Sequence, residues 1–259
     1  MSSYELSILS GMDSSSYLLV SDDGQVLSIR AVDHEAGEAW WQVDDRLNQP
    51  VGNVQIGYID HCFTLTPTRL YNSEHRREYL AALSSLPDEV TVMADPIPEL
   101  DVFLVYGLPQ RRLTAFRHAF VGSRQVHILK PLLQAFAQHN RLRGLPAVYA
   151  YFWRNELFLV GLEGNLLSFC NAFSFLDAKD ALYFVMLAFD QCGWKPNETP
   201  LLLCGEIVEN GEIYRWLQRY TRRLTFLTPP GDLRWGSLTS QQPPHRFFDL
   251  AALQHGPVS

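Results

Sequence analysis

The sequence predicts a two-lobed α/β protein made by duplication, and three observations carry that prediction. The stretch Tyr4–Val32 reads as three short strands joined by tight turns, and the pattern returns in altered form at Ala147–Ala172. In each half the strand triplet runs into helical periodicity and then into another buried strand. The chain has 259 residues, 47% of them apolar, enough for two cores without crosslinks or metals.

In the first triplet Glu5-Leu6-Ser7-Ile8-Leu9 alternates, Tyr17-Leu18-Leu19-Val20 is a compact apolar run, and Gln25 to Val32 alternates again after the turn Asp22-Asp23-Gly24. The segment from Asp33 to Pro67, with adjacent tryptophans, several glycines and mixed polarity, reads as irregular or as short strands carried by the first lobe. Tyr79, Leu80, Leu83 and Leu86 share a helical face, with Ser73 as N-cap and Pro87 as stop. Val102–Tyr106 suits a central strand. Leu113, Phe116 and Phe120 form the next helical stripe, and Leu129, Leu132, Leu133 and Phe136 repeat it before Gly144-Leu145-Pro146.

The second triplet is expected at Ala147 to Trp153, Glu156 to Leu162 and Leu166 to Phe173, with turns at Arg154-Asn155 and Glu163-Gly164-Asn165. Asp177 is placed to cap the next helix, whose buried face is Leu182, Val185, Met186 and Phe189. Leu201–Cys204 is a buried strand ending at Gly205-Glu206. Ile213, Trp216, Leu217 and Tyr220 form a last helical stripe, followed by a short strand at Leu224–Leu227. A nucleotide-binding unit of the Rossmann type would open with one strand and a Gly-rich turn. Three antiparallel strands followed by helix and strand is the order of a ribonuclease-H-like lobe, and two such lobes facing one another would make a cleft. The lobes are expected at 1–125, with the irregular insert at about 33–67, and at 126–259.

With 21 basic against 28 acidic residues and a net charge of −7, the chain lacks the positive surface that nucleic-acid binding needs. The N-terminus has neither a basic region nor an apolar run of roughly 7–15 residues, and no stretch nears the roughly 18 apolar residues of a membrane span. A cytoplasmic protein without membrane insertion is expected. Cys62, Cys170, Cys192 and Cys204 include no C-x-x-C pair and read as structural thiols. His61 beside Cys62 is the nearest approach to a metal pair, and adjacent strand residues point to opposite faces, so no metal site is expected.

Leu6-Ser7-Ile8 with Asp13 and Tyr17-Leu18-Leu19-Val20, then Asn171-Ala172-Phe173-Ser174-Phe175 with Asp180 and Tyr183, then Gly205-Glu206-Ile207, and finally His245-Arg246-Phe247-Phe248-Asp249-Leu250 together resemble a bacterial family of unknown function. That family is found chiefly in Bacteroidetes, and its members are similar to proteins of the actin-like ATPase fold. The matches span both lobes and almost the full length. The resemblance implies a likeness to the cytoplasmic actin-like domains of secretion and pilus assembly proteins, some of which are docking scaffolds.

It also implies where a nucleotide would sit. Actin-like ATPases and sugar kinases surround phosphate with two meander turns, where backbone N–H groups approach the anion and acidic groups hold hydrated Mg²⁺. Gly11 to Tyr17 resembles the first turn, with Asp13 facing Mg²⁺ through water and Ser14, Ser15 and Ser16 as hydroxyl donors. Their other reading is an Asp- and Ser-rich turn capping its own backbone. The second turn, Arg154 and Asn155, has neither Asp nor glycine. Gly205 and Glu206 stand where the adenosine-binding pattern would use two glycines, and Glu206 sets a charge at the second. No complete catalytic set is present. Trp40 and Trp41 are candidates for partner contact, since exposed aromatics anchor interfaces, or for core support.

The expectation is therefore an actin-like scaffold or protein-interaction module with an unidentified protein partner, its nucleotide chemistry reduced or absent. The alternative is an ATPase or phosphotransferase binding ATP with Mg²⁺ in the inter-lobe cleft.

Overall fold

The computed structural model describes residues 4–33, 41, 47, 51–82, 86, 89–236 and 242–256. Its contacts divide into two compact units. One holds the described residues of Met1–Leu132, Gly231–Gln241 and Leu250–Ser259, the other those of Leu133–Pro230 and Gln242–Asp249.

The first unit contains β1 (Tyr4–Ser10), β2 (Ser14–Ser21), β3 (Val26–Asp33), β4 (Val51–Tyr58) and β8 (Arg124–His127) in one sheet ordered β3-β2-β1-β4-β8. β1 and β2, and β2 and β3, are antiparallel; β4 runs parallel to β1 and β8 parallel to β4. Leu6 to Leu9 of the inner strand β1 are all buried, as a strand covered on both faces requires. The second unit repeats the order. β9 (Pro146–Trp153), β10 (Glu156–Glu163), β11 (Leu166–Ser174), β12 (Leu201–Gly205) and β13 (Leu224–Phe226) form a sheet ordered β11-β10-β9-β12-β13. Its first three strands are antiparallel and its last two are added in parallel. This is the duplicated ribonuclease-H-like architecture.

The strand equivalent to β12 in the first unit is β4, which lies inside the segment read from sequence as irregular or short-stranded. Gly52, Asn53, Gln55 and Gly57 mask its alternation. Gln55 is buried with its amide donating to the Gln254 carbonyl, and Gly57 leaves room for Leu9, Ile128 and Leu253. Val102–Tyr106 is a central strand, but of a different sheet. β5 (Phe63–Pro67), β6 (Val90–Ile97) and β7 (Val102–Pro109) form an antiparallel sheet ordered β5-β7-β6, inserted between β4 and β8. The helix expected from Ser73 begins as a 3₁₀ turn, capped by Asn72 accepting from Glu74 N–H, and continues as α1 (Arg76–Ala81). Leu83 and Pro87 lie outside the described residues.

α2 (Gln110–Ala119) and α3 (Leu129–Arg143) follow their apolar stripes, with Leu113, Phe116, Leu132, Leu133 and Phe136 buried. α4 (Ala178–Cys192) starts at Asp177, whose Oδ1 accepts from the N–H groups of Lys179 and Asp180 at 2.7 and 3.0 Å. Such a cap is worth about 1 kcal/mol. Val185 and Phe189 of α4 and Leu217 of α5 (Glu212–Tyr220) pack with β9, β10 and β12 into one apolar core. The last helix, α6 (Phe248–His255), follows a 3₁₀ turn at Pro244–Phe247.

Candidate functional site

In the first unit the candidate turn is short. β1 ends at Ser10, β2 begins at Ser14, and Gly11 N–H donates to Ser14 O at 2.8 Å. Met12, 81% exposed, and Asp13 form the exposed tip. Ser14, Ser15 and Ser16 are buried residues of β2 rather than of the turn. The Ser16 hydroxyl is, among the described residues, the buried side-chain polar atom without a hydrogen-bond partner.

A residue that the sequence reading missed holds this turn from beneath. Arg112, in the first turn of α2, donates from Nη2 to the carbonyls of Ser10 at 2.8 Å and Gly11 at 3.1 Å, and to Ser10 Oγ at 3.3 Å. Its Nη1 reaches Asp60 Oδ2 at 3.4 Å, and its guanidinium lies 5.2 Å from the Tyr58 ring centroid. Burial works against this charge and the Asp60 carboxylate works for it. His127 extends the network. Its Nδ1 accepts from Leu129 N–H at 3.1 Å, so Nε2 carries the proton donated to Asp60 O at 2.9 Å. Complete burial drops the His127 pKa to about 4. The available signal was position: Arg112 lies four residues before Phe116, on the buried stripe of its helix.

In the second unit the candidate residues converge. Arg154 and Asn155 are the two-residue turn between β9 and β10, and Arg154 has a left-handed φ of 53°. Its backbone N–H donates to Glu206 Oε2 at 3.1 Å, while Arg246 Nη2 lies 3.9 Å from Glu206 Oε1. Glu206 N–H donates to Phe152 O at 2.7 Å. Gly205 has φ 85°, and a Cβ there would fall 2.1 Å from Phe152 O, so only glycine lets the end of β12 close onto β9. The carboxylate thus occupies an amide of the turn between β9 and β10. Arg246 belongs to the C-terminal motif noted above, but its role is invisible without the fold. Nearby, the Tyr151 hydroxyl donates to Asp249 Oδ2 at 2.7 Å, with burial first and that carboxylate second holding the phenol in its protonated form.

The two candidate groups, Asp13 to Ser16 and Arg154, Asn155, Gly205 and Glu206, belong to different units. Trp41 is half-buried, its ring 5.0 Å from Phe116 and 6.2 Å from Phe120. Trp40 lies outside the described residues. Asp95 is bound by Lys130 Nζ at 3.1 Å and by the Tyr106 hydroxyl at 2.8 Å. Among the described residues no cluster of three or more His, Cys, Asp or Glu is placed to hold a metal ion, and no helix is long and apolar enough to cross a membrane. The four cysteines are free thiols, with burial pushing Cys170 up to about 12 and Cys192 to about 11.

Two sheets of identical strand order, each a three-strand meander with two parallel strands added, define a protein of the actin-like ATPase fold. The chain belongs to DUF3822, a family of proteins of unknown function, whose match covers residues 1–224. A protein of Bacteroides thetaiotaomicron with actin-like ATPase fold and unknown function is similar over 96% of this chain and 95% of its own, at 17% identity and TM-score 0.80. A chain of the PilM-PilN type IV pilus biogenesis complex is similar over 96% and 97%, at 14% identity and TM-score 0.61. The activator of 2-hydroxyisocaproyl-CoA dehydratase from Clostridium difficile, which holds ADPNP, is matched over 98% of this chain and 93% of its own, at 7% identity and TM-score 0.47. No curated protein matches the sequence.

Proposed function

We propose that this chain is a non-catalytic actin-like scaffold, a cytoplasmic module that docks a protein partner and uses no nucleotide chemistry of its own. The observation that carries the reading is the Glu206 carboxylate on the Arg154 N–H. A phosphate turn works by offering unpaired amides to an anion. Here an amide is filled by the chain's own anion, and Arg246 adds a cation to that same carboxylate. The turn also lacks the glycine and the acid that would let phosphate and hydrated Mg²⁺ approach. At the first turn, Arg112 engages carbonyls and leaves Asp13 as the acidic group of the exposed tip. PilM, similar in fold, is found in a complex with PilN, which makes protein docking a use this fold can serve.

Calorimetry with ATP and ADP, with and without Mg²⁺, tests the reading on wild type and Asp13→Asn. No saturable heat through millimolar nucleotide is expected from either. Mg²⁺-dependent binding that weakens in Asp13→Asn would overturn the proposal and favour the alternative, an ATPase or phosphotransferase using Asp13 with the turns around Arg154 and Gly205, which an activity assay would then test.

A further inference from the structure

From Glu212 to Arg223 the chain carries four arginines, Arg215, Arg219, Arg222 and Arg223, against one acid, Glu212, although its net charge is −7. The segment is α5 and its exit toward β13, in the second unit, and all four arginines are exposed. Its inner face is fixed. Leu217 is buried, Ile213 and Tyr214 pack against the same core, and the Tyr214 ring stacks on Phe226 at 5.6 Å. The Thr221 hydroxyl donates to Leu217 O at 2.8 Å where the helix ends.

An aromatic ring gathers part of this charge. Arg219 Cζ lies over the Trp216 ring, 4.7 Å from its centroid, and Lys179 Nζ, from the first turn of α4, lies over the same ring at 6.0 Å, distances at which cation and ring attract. Arg215 stands one helical turn before Arg219, where two like charges disfavour the helix, and Lys179 stands at a helix N-terminus, where the dipole disfavours a cation. Elsewhere in this unit Lys195 has Glu198 at 3.1 Å and Arg246 faces Glu206 at 3.9 Å. Among the described residues none of Lys179, Arg215, Arg219, Arg222 and Arg223 has a carboxylate partner. Tyr183, one turn after Lys179 and 63% exposed, and Tyr220, 48% exposed, add apolar surface beside the cations.

We propose, resting on the scaffold reading above, that this face of α4 and α5 docks an acidic protein segment, whose carboxylates pair with Lys179, Arg215 and Arg219 and whose apolar side chains lie on Trp216, Tyr183 and Tyr220. Three features select that occupant. Arginine outnumbers lysine here, and its planar fork meets a carboxylate in bidentate geometry. Trp, Tyr and Arg are the residue types that anchor protein interfaces. Finally, acids stand beside the cations in the chain, Asp177 and Asp180 around Lys179 and Glu212 before Arg215. A broad anionic plane or a long polyanion meets repulsion from these and from the net charge, whereas a narrow segment lying on the cations is screened from charges beyond about 10 Å.

Fluorescence anisotropy tests the proposal with the whole chain and a labelled peptide of Glu-Glu-Leu repeats, about 12 residues long so that at about 3.3 Å per residue it reaches across both helices. In about 50 mM salt wild type is expected to bind with a Kd below about 100 µM, and in about 0.5 M salt at least about tenfold more weakly. Arg215→Gln/Arg219→Gln should raise the Kd at least about tenfold with unchanged far-UV circular dichroism, while Arg141→Gln/Arg143→Gln, which removes as much charge from exposed positions on α3, should leave it within about twofold. No saturable binding by wild type, or equal losses in the two variants, overturns the proposal. So does tighter binding to phosphatidylserine-containing vesicles or to oligothymidylate that is lost in Arg215→Gln/Arg219→Gln. A wild type that binds neither peptide nor nucleotide loses this surface and keeps the scaffold reading; one that binds both keeps the surface and loses the non-catalytic reading.

Discussion

The turn between β1 and β2 and the turn between β9 and β10 hold equivalent places in equivalent sheets, yet they are held by opposite charges. Arg112, a cation, binds the carbonyls of the first; Glu206, an anion, binds an amide of the second. Duplication fixes where a turn falls, because strand order and pairing depend on many residues. It does not fix what the turn does, which depends on one or two side chains arriving from elsewhere in the sequence. In both turns those arrivals complete the backbone's hydrogen bonds from within the chain.

The comparison breaks most forcefully at Gly205. Gly205→Ala drives a methyl into the Phe152 carbonyl at a left-handed φ, and a loss on the order of 4 kcal/mol or more is expected in urea denaturation. Gly164→Ala is the control. That glycine also has positive φ, 58°, but meets nothing within 4 Å, so a loss of about 1 kcal/mol is expected. Equal losses at the two sites would show that φ alone, not the close approach of β12 to β9, requires glycine at 205.

Acid should strike the first turn's supports through His127. Its pKa of about 4 in the folded chain lies below the ordinary 6.5 because burial disfavours the charge. Below pH 6.5 the unfolded chain therefore binds a proton that the folded chain refuses. The stability contribution is full above 6.5, declines as pH falls from 6.5 to about 4, and levels off below that. The linked loss is at most about 3 kcal/mol. Urea midpoints measured across that window should show the slope in wild type and a reduced one in His127→Gln.

Arg112→Met keeps most of the side-chain volume and removes the donors to Ser10 and Gly11. Ser10 O retains Ile59 N–H at 3.0 Å, so the loss is less than for a fully orphaned carbonyl, and about 2 kcal/mol is expected from equilibrium unfolding. A loss below about 0.5 kcal/mol would mean that water replaces the guanidinium and that the contrast between the turns is only descriptive.

How far this could be read from sequence follows the same division. The strand triplets, the Asp177 cap and the stripes of α2, α3 and α4 are local patterns, and each is seen in the structure close to where periodicity sets it, except that β2 already begins at Ser14, ahead of its apolar run at Tyr17. β4 was hidden because its buried glutamine and paired glycines break the alternation that marks a strand, although Gln55 is satisfied by a carbonyl 199 residues away. Arg112 and Arg246 were missed for a related reason. An arginine reads as surface until its partners, here Ser10, Gly11 and Glu206, are brought to it by the fold.

The smallest effect is the most informative about function. Glu206→Ala removes the acceptor of the Arg154 N–H at a partly exposed site, and about 1 kcal/mol is expected. Glu206→Gln keeps an acceptor oxygen and loses only the charge facing Arg246 at 3.9 Å, a few tenths of a kcal/mol at most. If a resident anion is what the turn requires, the emptied site in Glu206→Ala should accept another. Sulfate at tens of millimolar should then raise the melting temperature of Glu206→Ala more than that of Glu206→Gln or wild type. Equal shifts in all three would mean that the Arg154 amide is satisfied by water once Glu206 is gone, and that the likeness of this turn to a phosphate turn ends at its position in the sheet.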